Sequence, residues 1–205
     1  MKKNTLVYSL IGLLISLGGC GYNTNSSPEV WLKNYGINSS PALDSITLCQ
    51  NFGCTKTKQI SLSPKEQARI NQHFSPTPVS AEEERERLKT GIGLLERITG
   101  PKLGTTNDLA ENDFHMSTNQ LDCVAETSNT SQYLLFLSSM GLIKFHRIGG
   151  NLHRGLFTLD APHNSAAMIE IESNQAFAVD SWFGKNGDSA WIVKAERWLS
   201  GQSPK

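Results

Sequence analysis

The chain has no excess of positive charge. Its 19 lysines and arginines are balanced by 19 aspartates and glutamates. That argues against a nucleic-acid binder, because affinity for phosphate chains needs concentrated positive charge. Long apolar runs are also missing. The one candidate, from Leu6 to Leu17, is shorter than the ~20 residues that a membrane-spanning helix requires. Cysteine is scarce, at four in 205 residues. No CxxC pair suggests a dithiol redox site, and no His or Cys lies near Cys49 and Cys54 to complete four metal ligands. There is no internal repeat, no cofactor is expected, and no tryptophan lies between Trp31 and Trp182.

What is present begins with Lys2 and Lys3, followed by the apolar run and Leu17-Gly18-Gly19-Cys20. This order has the pattern of an exported leader, and its end resembles the lipobox of bacterial lipoproteins. The resemblance implies that residues 1–19 are a signal peptide cut before Cys20, which is diacylated with fatty acids such as palmitate and becomes the new N-terminus. An ordinary signal peptide or a single anchor helix is the competing reading. Each buried CH2 of an acyl chain adds about 0.8 kcal/mol, so several chains would hold the protein on a membrane. Gly21 is not aspartate, which by the family's sorting rule implies the outer membrane, facing the periplasm. Residues 20–28, "CGYNTNSSP", read as a flexible membrane tether. Residues 29–205 are then a single domain of ordinary size with a core of its own.

An exported chain meets an oxidising compartment. Cys49 and Cys54 flank the turn-like Asn51-Phe52-Gly53, and a chain that folds back there brings them within disulfide range. They are expected to bridge. Cys123 is left as a single free thiol.

The coarse pattern runs from helices to strands. One strand is expected near Ser45–Leu48. Ser63-Pro64 and Glu66 open one helix, and Ser80 with Glu83 opens a second that runs to Ile98, ended by Gly100-Pro101. Its "EEERER" segment reads as a solvated face. A polar loop from Lys102 to Leu121 is longer than most connections, and such loops are often functional. The next helix starts at Cys123, runs to Ser139 or Met140 and stops at Gly141. Strand-like runs follow at Lys144–Ile148, Gly155–Leu159, Ala166–Glu172 and Ala176–Phe183. Trp191–Leu199 is either a strand or a short helix. The expected class is α+β: N-terminal helices, then a helix starting at the cysteine, packed on a mostly antiparallel sheet.

A thiol at a helix N-terminus sits beside unpaired backbone N–H groups and the positive end of the helix dipole. Both favour thiolate over thiol. An imidazole could pair with that thiolate and protonate a leaving group, and a carboxylate could fix the imidazole's tautomer. His163 in "APHNSAAMIEI" and Asp180 in "AFAVDSWFG" stand downstream, each at a strand end. His146 and His153 are rival bases, each beside an arginine.

Cys at a helix start, His at a strand start and Asp after the neighbouring strand, in that order, resemble the transglutaminase-like (cysteine protease-like) superfamily. The likeness covers roughly Gln120 to Trp198. It implies a papain/transglutaminase-like core, with Cys123 as nucleophile, His163 as base and acid, and Asp180 as its orienter. An indole donor upstream of the cysteine is absent here, so the Cys123 N–H and the Gln120 amide are the candidate oxyanion donors. The mature chain also resembles a family of exported Gram-negative bacterial lipoproteins, which adds no activity. The expected function is a membrane-tethered cysteine hydrolase or acyltransferase, cutting amide or ester bonds of envelope proteins or peptides through a thioester. The alternative is a binding or scaffold lipoprotein that keeps the fold without turnover. One geometric obstacle stands in the way. A tight hairpin centred on Ser173-Asn174 sets Asp180 opposite Ala167, four residues or ~13 Å along the strand from His163.

Overall fold

The computed structural model describes residues 22–112, 119–155 and 162–204. The expected signal peptide 1–19, Cys20, His115 and most of the expected strand from Gly155 to Leu159 lie outside the described residues. The chain is α+β, with helices and two antiparallel sheets. No helix among the described residues is long and apolar enough to cross a membrane.

The order is α1 (Glu29–Asn34), β1 (Ile46–Cys49), β2 (Thr57–Ile60), α2 (Pro64–His73), α3 (Ala81–Leu103), α4 (Cys123–Ser139), β3 (His146–Arg154), β4 (His163–Glu170), β5 (Ala176–Asp180), β6 (Trp191–Lys194) and α5 (Ala195–Leu199). β1 and β2 form a small hairpin, and the larger sheet runs β3-β4-β5-β6. The capping signals work as their chemistry demands. Ser63 accepts from the Glu66 N–H while Glu66 reaches back to the Ser63 N–H. Ser80 accepts from the Glu83 N–H at 3.1 Å, and Glu83 answers to Val79, one residue earlier than a capping box requires.

α4 is the central helix, buried on almost every side. Asp122 caps it, its Oδ1 accepting from the Ala125 N–H at 3.0 Å. Leu134 and Leu137 pack with Met168, Phe177, Val179 and Ile192 from one face of the sheet. Each such side chain removed from water contributes about 1.5–3 kcal/mol. Alternation along β4 splits the faces. Ala166 and Met168 join the α4 core, whereas Ala167 and Ile169 join a second cluster with Trp198 of α5.

Four expectations change. α3 does not stop at Ile98; it continues through Gly100-Pro101 to Leu103. A proline in the last turn removes only one helical bond, and the stop is Gly104, whose φ of +88° is the left-handed cap. The "EEERER" face is not simply solvated. Glu84 is fully buried and accepts from the Lys144 N–H at 2.7 Å, the Phe145 N–H and the His146 ring at 2.7 Å. Arg85 pairs with Glu170 and lies over the Phe177 ring. The tether is not free from Tyr22 onward. The Tyr22 hydroxyl donates to the Gly150 carbonyl, the Ser26 carbonyl accepts from the Gly150 N–H, and the Arg147 guanidinium donates to the Thr24 carbonyl. Finally, the β4–β5 turn is centred one residue earlier than expected, with Glu170 N–H donating to the Gln175 carbonyl. Ala166 therefore pairs with Val179, and Asp180 falls opposite Ser165, on the same face as His163 and one diagonal step away.

The Glu84 carboxylate ties α3 to the start of β3 with no solvent to replace lost partners. Glu84→Ala should lower unfolding stability by about 3 kcal/mol or more in urea titration, since it orphans buried donors. Glu82→Ala, on the exposed side of the same turn, should change it by less than ~0.5 kcal/mol.

Candidate active site

Three elements converge at the end of the large sheet. α4 brings Cys123 at its first residue, β4 brings His163 at its first residue, and β5 brings Asp180 at its last. The thiol is free and 9% exposed. Of the first-turn amides, Ala125 is satisfied by Asp122 Oδ1 and Glu126 by the Asp122 carbonyl. Those of Cys123 and Val124 have no acceptor within the helix, as for any helix start.

His163 Nε2 lies 2.8 Å from Asp180 Oδ2. Because Nε2 serves the carboxylate, Nδ1 is the nitrogen left for the thiol. Burial by itself would pull the imidazolium pKa down. Hydrogen bonds to Asp180 and to Cys123, with the charge of each, outweigh it and raise the pKa to about 9. Asp180 is itself tightly held. Trp198 Nε1 donates to Oδ2 at 2.7 Å, and the Trp182 N–H donates to Oδ1 at 3.2 Å. The His163 ring is packed among Trp182, Phe183 and Trp198, with ring centres at 4.5, 5.4 and 5.4 Å. Arg154 lies over the Trp198 ring and donates to the Trp198 carbonyl at 2.6 Å.

Buried acids brace the approach to Cys123. Asp108 Oδ1 accepts from the Leu121 N–H at 2.7 Å, and Asp108 shares a hydrogen bond with Glu126. Glu126 accepts from the Ser181 hydroxyl at 2.6 Å, next to Asp180. Burial, with the neighbouring charges of Glu96 and Asp108, pushes Glu126 well above the carboxylate range. Burial raises Asp108 to about 6. Two acids this close and this buried hold on to a proton as a pair to higher pH than either would alone. The loop after Asp180 is locked from the other side, with Glu111 N–H donating to the Trp182 carbonyl at 2.8 Å and Asn186 N–H to the Asp108 carbonyl. Gly93 and Gly187 take part as well. A Cβ on Gly93 would run into the Asp188 carbonyl oxygen, and Glu96 Oε2 accepts from the Gly187 N–H at 2.7 Å.

Cys49 and Cys54 are bridged, with Cα atoms 4.9 Å apart. The loop they close presents the Gly53 N–H to Asp122 Oδ1 at 2.9 Å, and Asn129 of α4 clasps both the N–H and the carbonyl of Cys49. The disulfide loop therefore seats the helix that carries the thiol.

Of the residues singled out in the sequence, Cys123, His163 and Asp180 come together. Gln120 does not join them: its Nε2 donates to the Asn107 carbonyl at 3.0 Å and its Oε1 accepts from the Leu109 N–H, so it braces the loop. His146 is committed to Glu84. His153 instead reaches Asn164, whose Nδ2 is 3.6 Å from Cys123 Sγ. Trp198, Glu126 and Asp108 escaped the sequence reading because their roles depend on contacts far along the chain. Among the described residues no group of His, Cys, Asp and Glu is placed to hold a metal ion. Comparison with known proteins finds no matching family model, no matching curated protein and no matching solved structure.

Glu96 is the acid whose state should be visible in stability. Burial raises it to about 8, with Asp108 and Asp188 pushing up and Arg97 pulling down. Among the described residues its Oε1 has no hydrogen-bond partner. A carboxyl with a raised folded-state pKa binds more protons folded than unfolded. Its contribution is present below the unfolded value of ~4.3 and is lost as pH rises toward 8. Glu96→Gln keeps the acceptor for Gly187 and removes the titration. Denaturant unfolding should show a flatter decline between pH 5 and 8, with the variant more stable than wild type by ~1 kcal/mol or more above pH 8.

Proposed function

We propose that this protein is a transglutaminase-like cysteine hydrolase or acyltransferase, tethered to the cell envelope through Cys20 and facing the periplasm from the outer membrane. Its substrates are amide or ester bonds of envelope proteins or peptides. The observation that supports this reading most is the hydrogen-bonded series Cys123, His163, Asp180, with His163 raised to about 9 by its two partners. A histidine protonated through neutral pH beside a thiol at a helix start is the state a thiolate nucleophile needs. The papain/transglutaminase-like core is part of the same reading. It rests on the position of α4, which starts at the nucleophile and packs on the antiparallel sheet that carries the other two residues.

In the first half-reaction the Cys123 sulfur forms a bond to the carbonyl carbon, and the π pair moves to oxygen. When the carbonyl re-forms, the bond to the amine or alcohol breaks, and His163 Nδ1 gives its proton to that leaving group. A thioester remains. In the second half-reaction His163, now neutral, takes a proton from water or an incoming amine as it attacks the thioester. The thiolate leaves and the ion pair returns. Asp180 holds Nε2–H throughout and stays ionised, which fixes the tautomer that points Nδ1 at the sulfur.

The test is the rate of iodoacetamide labelling at Cys123 from pH 4 to 10. Wild type should label fast well below pH 7. In His163→Ala labelling at pH 6 should be slowed about tenfold or more. Coincident profiles with midpoints at or above ~8.5 would remove the catalytic assignment and leave a binding scaffold.

A further inference from the structure

The superfamily likeness leaves this site short of a side-chain oxyanion donor, because the indole expected upstream of the cysteine is missing and Gln120 is occupied by its own loop. Three of the four indoles are also engaged. Trp31 Nε1 donates to Ser128, Trp182 Nε1 to the Asn112 carbonyl, and Trp198 Nε1 to Asp180. One amide is aimed at the sulfur. Asn164 Nδ2 lies 3.6 Å from Cys123 Sγ, in a side chain that is 7% exposed.

Strand alternation explains how consecutive residues both serve the thiol. His163 and Ser165 face the α5 side with Asp180, whereas Asn164 shares the α4 side with Ala166 and Met168. His163 reaches the sulfur around the end of the strand. Asn164 meets it from the face on which α4 packs.

We infer that Asn164 is the side-chain oxyanion donor of this site and that His153 is the positioning residue that aims it. The inference rests on the proposed role of Cys123 as nucleophile. An amide has two ends of similar shape and opposite polarity, so something must choose which end faces the sulfur. His153 makes that choice. It pairs with Asn164 across β3 and β4, and its Nδ1 lies 2.7 Å from Asn164 Oδ1. With Nδ1–H donating to Oδ1, the NH2 group is the end left for the thiol. The reversed amide would set a carbonyl oxygen against a thiolate.

The distance suits an adduct. In a tetrahedral intermediate the oxyanion sits roughly 2.7 Å from the sulfur bonded to the same carbon. A nitrogen 3.6 Å from that sulfur can then lie at the ~2.7–3.1 Å an oxyanion donor requires. The Cys123 N–H, without an acceptor in its helix, is the second donor. As the S–C bond forms, the carbonyl pair moves onto oxygen and both N–H groups bind it. When the leaving group departs with its proton from His163, the pair returns to the C=O bond and the donors are freed.

Two reagents separate this role from a general effect on the thiol. p-Nitrophenyl acetate acylates Cys123 through an oxyanion, whereas iodoacetamide alkylates it without one. Both rates are measured at a pH on the plateau of the alkylation profile, where thiolate content no longer varies. Asn164→Ala should slow acylation by about 100-fold or more, with alkylation changed by less than ~3-fold. His153→Phe keeps a ring at an exposed position but removes the donor. It should slow acylation about tenfold, with unchanged alkylation and an unchanged melting temperature, and it stands as the test if Asn164→Ala does not fold. Equal acylation-to-alkylation ratios in wild type and both variants would overturn the inference while leaving Cys123 as nucleophile. Fast alkylation of wild type with no acylation would also overturn it. A wild-type thiol that alkylates only at alkaline pH would instead overturn the nucleophile reading beneath it.

Discussion

Asp180 is an ionisable group buried to 3% exposure at the end of a strand, and such a charge costs several kcal/mol unless its oxygens are satisfied. The surroundings meet that demand from three directions. His163 comes from β4, the Trp198 indole from α5, and the Trp182 amide from the turn that follows β5. Each partner fixes a larger piece of structure. The bond to His163 needs the β4–β5 register to fall where it does, the bond to Trp198 needs α5 folded back under the sheet, and the Trp182 amide needs the chain to turn at once after Asp180. Removing any one leaves the carboxylate short of a donor, so the register, the terminal helix and the turn are specified together.

The acids around the start of α4 work by the opposite principle. Glu84, away from them on α3, still follows the Asp180 pattern, buried and met by three separate donors. Glu126, Asp108 and Glu96 share too few donors, and their protons stay on to higher pH than usual. The result is a neutral or half-charged brace between the loop ahead of Cys123 and the turn after Asp180. Negative charge is thereby kept from accumulating behind the Cys123 sulfur. The disulfide loop supplies the remaining support through Gly53 and Asp122.

Much of this was legible in the chain. Ser63 and Ser80 announced their helices because caps act within three residues. The start of α4 at Cys123, the bridge between Cys49 and Cys54, and the order Cys, His, Asp were readable for the same reason: each rests on local pattern. What failed depends on distance in sequence. "EEERER" has a solvated look, and only β3 arriving from sixty residues away makes Glu84 a buried anchor. Pro101 reads as a stop, but a helix tolerates it within its last turn when Gly104 can supply the cap. The six-residue α1 has no side-chain cap, and β2 reads "TKQI" with little apolar signal, so neither announced itself. The gap between His163 and Asp180 came from centring the hairpin on Ser173-Asn174. Moving that centre by one residue shifts every cross-strand partner by two, and Asn174, with φ +54°, instead occupies the end of a longer turn.

We propose that His163 is held as an imidazolium by its hydrogen bonds to Asp180 and to the Cys123 sulfur. NMR of ring-labelled histidine, with His163 assigned by its absence in His163→Gln, reads that state directly across a pH titration. His163 should stay protonated through neutral pH and lose its proton near pH 9. In Asp180→Asn the same signal should titrate at lower pH, because the hydrogen bond and charge that hold the proton are gone. A wild-type His163 that is already neutral at pH 7, titrating at or below the ordinary ~6.5, would contradict the account.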